Sequence, residues 1–340
     1  MLIKAKRKVF DNSPHLESVK MILHGIDFSV FDASGVEGFF GEGYLHHKLL
    51  GPFAPNFSGC TFVAKTTTLN ERQGNMPLFK YSIVPKEWIP KSVKVYFKKG
   101  IMLNAVGLSG PGAEFLFEYE SWQERTEPFF ISFMSVKDTA EKRTAELQEF
   151  VNLFAQHLPS FKAKVGLQIN YSCPNIGIDP DSLIFEALTG LNIASNLGIM
   201  LMPKFNVLAS PRAVKTISNH FACDAICVSN TIPWGKLPEK INWKKIFGSE
   251  ISPLVQFGGG GLSGKPLLPL VIEWLIQARS EGIRKPICAG GGILSPDDLE
   301  FLYHAGASSV FIGSVATLRP WRVQKIIRRA HQLFGKGESQ

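Results

Sequence analysis

Ten polar residues stand where short apolar runs of this chain end. Six are amides or hydroxyls on three stretches, Asn170, Ser172 and Asn175 in NYSCPN, Asn230 and Thr231 in SNT, and Asn104 opening NAVGLSG. Ser34, Lys65, Lys204 and Cys173 complete the set, and acids are nearly absent from these ends. Such a set suits a flat anionic ligand carrying amide or imide groups. Neutral donors and acceptors read its edges and the two cations hold its charge. It does not suit glycoside hydrolysis, which needs paired carboxylates, nor Mg²⁺ chemistry, which needs oxygen ligands. Cys173 precedes Pro174 at such an end. A thiol of ordinary pKa ~8.5 can serve there as a base if lysines lower it; its plain alternative is a small core filler.

The runs that must position these residues are 29–35, 62–68, 129–136, 165–172, 199–207, 224–231, 285–292 and 308–315. They are rich in β-branched and aromatic residues and apolar on both faces, as buried parallel strands are. Amphipathic segments separate them, among them 144–158, 266–282 and 295–306, the last opening on Ser295 as an expected N-cap. Eight strands alternating with helices predict an α/β fold, a (β/α)8 TIM barrel with an insertion after the second strand. An open dinucleotide-binding sheet would carry G-x-G-x-x-G after its first strand, and DASGVEG lacks it. The expected organisation is one barrel domain over 1–340. Residues 69–104 form a rim insertion rich in Pro, Lys and aromatics, and 316–340 a C-terminal helix and tail.

In a barrel the loops after strands seven and eight hold phosphate. Both matching runs end in glycine, CAGGGI and FIGSVA, so Gly291, Gly292, Gly313 and Ser314 are candidates for a phosphoester cradle. QFGGGGLSGKPL supplies a third glycine loop. Gly259 to Lys265 has P-loop spacing, but Pro266 stands where the metal-binding hydroxyl belongs, so a nucleotide triphosphatase is excluded.

Five scattered cysteines in 340 residues argue against a disulfide framework and for a reducing, cytoplasmic setting. Cys223 and Cys227 sit too far apart in an extended strand to share one ion, and with Cys60 and Cys288 they read as core. No metal site is expected. No apolar run is long enough to span a bilayer, and the N-terminus has no secretory h-region. The net charge is +8, densest in RPWRVQKIIRR (319–329), where Val323, Ile326 and Ile327 predict a helix with one wet basic face. His46 and His47 are expected on the first helix facing solvent. Phe39 and Phe40 are expected to pack, and Trp234 either flanks the ligand or packs the rim.

Over roughly residues 25–320 the sequence resembles the dihydroorotate dehydrogenases, FMN-containing barrels of pyrimidine synthesis. The likeness rests on ASG (33–35), AKTTT (64–68), NAVGLSG (104–110) and NYSCPN (170–175), then MPKFNV, SNT, GGLSGKPL, AGGGI and the final GS in order. NYSCPN and DASG look like the soluble class, GGLSGKPL like the membrane-associated one, and Ser109 and Gly110 replace the usual Pro-Asn or Pro-Gly type. The resemblance implies that Asn104, Asn170, Asn175 and Asn230 hold the pyrimidine, with Lys65 and Thr231 beside it. It implies Cys173 as the base that takes a proton from C5 while hydride leaves C6 for the flavin. Ala33, Ser34, Gly35, Lys65, Asn170 and Lys204 would meet the flavin ring, and Gly261, Gly291, Gly292, Gly313 and Ser314 the ribityl phosphate. The implied partner is dihydroorotate or orotate, not nucleic acid. The acceptor (fumarate, quinone, oxygen or a partner subunit) and the oligomeric state stay open. The alternatives are another FMN-dependent pyrimidine reductase, including the transfer-RNA dihydrouridine type, and a non-catalytic flavin-binding barrel.

Overall fold

The computed structural model describes residues 19–171 and 179–335. Ser172, Cys173 and Asn175 therefore lie outside the described residues.

Eight parallel segments close into a ring. The first barrel strand, Val30–Asp32, pairs with the eighth, Ser309–Ile312, in the register Phe31 to Phe311. The eighth pairs with the seventh, Ile287–Gly290, which pairs with the sixth, Ile226–Val228. The sixth joins the fifth, split into Met200–Leu201 and Lys204–Phe205, and the fifth joins the fourth, Val165–Ile169. The fourth pairs along its whole length with the third, Phe129–Phe133. Residues 61–67 close the gap by single bridges, Phe31 to Thr61 on one side and Val63 to Phe130 and Thr67 to Phe133 on the other. The eight expected runs fall on these eight segments.

Inside the ring Phe31, Phe130 and Phe28 meet with centroids 5.4 to 5.7 Å apart. A hairpin of Ile22–Leu23 and Ile26–Asp27 brings Met21 and Leu23 onto the same cluster. Outside the ring the helices bury their apolar faces. Phe150 of Ala140–His157, for example, stacks on Phe133 at 4.1 Å. Helix starts follow capping chemistry: Asp179 accepts from the Ser182 amide before Pro180–Ala194, and Ser210 from the Ala213 amide before Pro211–Ser218. Ser295 departs from its expected role. The helix begins at Asp298, whose carboxylate reaches back to accept from the amides of Leu294 and Ser295, each at 2.8 Å. Both bonds fall on one carboxylate oxygen, Oδ2, and a charged acceptor strengthens each of them.

The insertion is more ordered than its composition suggests. Val93–Tyr96 and Ile101–Asn104 form a hairpin whose second strand pairs antiparallel with Gly261–Gly264, and that strand with Ile232–Pro233. The third glycine loop is thus partly a strand, and its glycines permit close approach. A Cβ on Gly264 would lie 2.3 Å from the Gly100 carbonyl. Asn104 ends a strand of this rim sheet, not of the barrel.

His47 is a correction: it is buried and meets Tyr44 edge-on at 5.8 Å, because the short helix Leu45–Lys48 turns it inward. Cys223, Cys227 and Cys288 are buried, Cys60 is half-buried, and all four are free. No cluster of metal-ligating side chains occurs among the described residues. Phe39 is buried and Phe40 stacks on Tyr119 at 4.8 Å, both as packing residues.

One buried ion pair clamps two helices near the fourth strand. Arg143 donates to both carboxylate oxygens of Glu186 at 2.8 and 2.7 Å, and to the carbonyls of Lys137 and Asp138. Removing one partner strands a buried charge. Arg143→Leu is expected to lose about 3–5 kcal/mol in urea unfolding, and Arg143→Leu with Glu186→Leu clearly less.

Candidate active site

All the strand C-termini point to one mouth, and there a cavity of about 1550 Å³ opens. Every candidate residue within the described part of the chain lines it. Ala33, Ser34 and Gly35 come from the first strand and Lys65 from the second. Asn170, Lys204, Asn230 and Thr231 come from the fourth to sixth, and Gly291, Gly292, Gly313 and Ser314 from the last two. Asn104 and Gly261 face it from the rim sheet.

The amides are set against each other. Asn230 Nδ2 donates to Asn170 Oδ1 at 3.3 Å, and Asn230 Oδ1 accepts from the Thr231 amide at 2.9 Å. These bonds fix which edge of each carboxamide is offered. Thr231 also explains Gly261: a Cβ there would lie 2.2 Å from Thr231 Oγ1. Both lysines are buried, at 8% and 6% exposure for Lys65 and Lys204. Lys65 Nζ donates to the Ser109 carbonyl and sits 4.4 Å from the centre of the Phe39 ring. Burial pulls its pKa down to about 8, against an opposing pull from Glu42. Lys204 Nζ lies 5.1 Å from the centre of the Phe311 ring. Two desolvated ammonium groups inside one cavity attract an anion strongly, since little water competes.

At the glycine end the test is steric. Gly292 holds φ +81, and a Cβ there would meet the Leu268 amide nitrogen at 2.6 Å and the Gly264 carbonyl at 2.8 Å. A Cβ on Gly313 would lie 2.8 Å from that of Ala33. Both turns thus need glycine to pass their own neighbours, and their bare main-chain N–H groups can meet a phosphoester. A flat ring flanked by lysines and carboxamides, with such a cradle at one end, fits the donor set of FMN.

Several lining residues escaped the sequence reading. Thr66 bridges Ser34 and Ser132 at 2.8 and 2.9 Å. Tyr44 donates to the Gly35 carbonyl at 2.8 Å and so fixes the first loop, its phenol pushed up by burial. Nothing in GEGYLHH signalled that. Acids do occur behind this end. Asp32 and Glu37 lie near each other, and burial raises the pKa of both, with Glu37 adding to the rise at Asp32. Asp32 also accepts from the Val63 amide, tying the first strand to the second. A carboxyl inside SVFDASG reads as a strand residue, not as a tie. Trp234 stays out of the cavity and packs on Trp243 and Phe247 at 4.7 and 4.9 Å.

Fold and site together define a TIM-barrel protein that gathers buried lysines, carboxamides and glycine turns at one mouth. The chain belongs to the dihydroorotate dehydrogenase family, whose sequence model matches residues 19–334. Among similar proteins is the catalytic subunit of dihydroorotate dehydrogenase B (NAD(+)) of Caldicellulosiruptor saccharolyticus. It is 28% identical over 298 residues, covering 85% of each chain. The corresponding subunit of Anoxybacillus flavithermus is 26% identical over 270 residues, 77% of this chain and 75% of that one. In fold the chain is similar to a dihydroorotate dehydrogenase of Eimeria tenella solved with ferulenol. There the TM-score is 0.63 at 18% identity, over 97% of this chain and 89% of the other.

Gly313→Ala is expected to weaken FMN binding by about tenfold or more, the equivalent of ~1.4 kcal/mol of steric cost. Flavin fluorescence titration measures it, with an unchanged circular dichroism spectrum as the control.

Proposed function

We propose that this protein oxidises dihydroorotate to orotate in pyrimidine synthesis, with FMN held in the barrel mouth. The observation that carries the reading is the convergence of Asn104, Asn170, Asn230, Lys65 and Lys204 on the cavity that Gly292 and Gly313 also line. Bound FMN supplies the acceptor for the hydride that leaves C6 of the substrate ring.

The chain's own residues do the rest. Asn104, Asn170 and Asn230 offer carboxamide edges to the imide and ring N–H groups of the substrate, with Asn175 assigned to the same task from NYSCPN alone. A ligand lacking those groups would leave buried amides unpaired, which is how such a site discriminates. Lys65 holds negative charge on the substrate side, and Lys204 stabilises negative charge on the flavin's pyrimidine edge. Cys173 takes the proton from C5, an assignment that also rests on NYSCPN. Few and free cysteines support a cytoplasmic setting. Among the described residues no helix is long and apolar enough to cross a membrane.

Anaerobic dihydroorotate is expected to bleach the bound flavin; a fully loaded sample that stays yellow overturns the reading. Cys173→Ser should slow that bleaching by about 10²-fold or more while flavin stays bound, measured by stopped flow. Lys65 adds a pH dependence. A lysine at about 8 is protonated below that pH and neutral above it. Orotate affinity in the free enzyme should therefore be flat below pH 8 and fall about tenfold per pH unit above it. Lys65→Met should give weak, pH-independent binding across that range in an equilibrium titration.

A further inference from the structure

The rim insertion carries a surface that the reaction does not use. Tyr81, Trp88 and Ile89 are 77%, 74% and 85% exposed, and Phe79 and Phe97 more than half exposed. All five line the mouth of the cavity. Large side chains thrust this far into water, side by side, mark an interaction face. Between them stand six lysines, Lys80, Lys86, Lys91, Lys94, Lys98 and Lys99, all exposed. Over residues 79–99 only Glu87 opposes them, so six minus one gives a net charge of +5.

The surface continues onto the basic stretch at the start of the C-terminal helix. Arg319 donates to the Phe97 carbonyl at 3.0 Å and lies 6.0 Å from the Trp321 ring, itself 54% exposed. The start of the densest basic segment of the sequence thus adjoins the insertion.

Its chemistry separates two kinds of occupant. Protein–protein interfaces are enriched in aromatics but depleted in lysine. Aromatic and aliphatic side chains interleaved with lysines match the boundary of a bilayer, where rings sit at headgroup level and ammonium groups meet anionic lipid.

We propose that the 79–99 insertion, with Arg319 and Trp321, docks the protein on the surface of an anionic lipid bilayer, the cavity mouth facing the membrane. Trp88 and Ile89 enter the headgroup–acyl boundary and the lysines stay at the phosphates. Such docking needs no spanning helix, and it does not depend on which substrate the cavity takes.

The test is co-flotation of the flavin-loaded protein with vesicles. Vesicles containing phosphatidylglycerol should carry it upward, pure phosphatidylcholine vesicles should do so far less, and raised salt should weaken the effect. Each Lys→Gln change at Lys86, Lys91 or Lys94 should lower the partition coefficient about fivefold. Trp88→Ser with Ile89→Ser should lower it at least about tenfold. Flavin content checks that each variant is folded. Failure to float with either vesicle overturns the proposal. So does flotation that these substitutions leave unchanged. A concentration-dependent dimer in sedimentation velocity that the Trp88→Ser, Ile89→Ser variant abolishes would overturn it in favour of a second copy. Capture of an acidic partner protein by the same face, without flotation, would overturn it in favour of that partner.

Discussion

Closure of the parallel ring is the constraint on which everything else depends. A parallel strand has no tight turn back to its neighbour, so every crossover runs outside the ring and every strand C-terminus reaches the same end. Residues scattered from Ala33 to Ser314 meet only because the first and eighth strands pair, Phe31 with Phe311. The weakest link in the ring is residues 61–67, held by single bridges. There the structure adds side-chain ties, Asp32 to the Val63 amide and Thr66 to Ser34 and Ser132. The same segment carries Lys65. Closure and charge placement are therefore one problem, and polar residues solve both.

That coupling has an energetic consequence. A cavity of this size lined by bare glycine backbone and buried ammonium groups buries little apolar surface at its mouth. The stabilising burial lies elsewhere, in the Phe28, Phe31 and Phe130 cluster at the closed end and in the outer layer around Phe133 and Phe150. The mouth can hold buried cations and glycine turns because the far end supplies the packing. A ligand that neutralises Lys65 and Lys204 would itself stabilise the fold by mass action.

The sequence made the barrel legible because its strands are short apolar runs at regular spacing, buried on both faces. The site was legible for the same reason: polar residues at the ends of such runs have few structural explanations. What stayed hidden depends on tertiary contact. His47 reads as a surface helix residue until Tyr44 is placed beside it. Asp32, its pKa raised by burial and by Glu37, gains that neighbour only because the chain folds back after Gly35. Ser295 looks like a cap because a hydroxyl precedes a helix, but the helix starts later, and Asp298 reaches back to tie the amides of Leu294 and Ser295 instead. Asn104 lines the cavity from the rim sheet rather than from a barrel strand, since NAVGLSG carries no mark of that sheet.

The rim sheet itself shows why an insertion can serve a site without disturbing the ring. Its strand Ile101–Asn104 pairs with Gly261–Gly264, a segment that follows the sixth barrel strand, so the insertion is tied across the mouth to a distant part of the chain. Gly260, Gly261 and Gly264 let those backbones approach, each at a position where a Cβ would strike the opposing strand or Thr231. Antiparallel pairing fixes the register of Asn104 as firmly as a barrel strand would. Tyr96 of the hairpin packs edge-on against Phe247 at 5.3 Å, while Phe97 and the neighbouring lysines stay exposed. Selection on that surface is separate from selection on the amide it delivers, and so the same insertion can carry a ligand-facing asparagine on one edge and an exposed aromatic and basic face on the other.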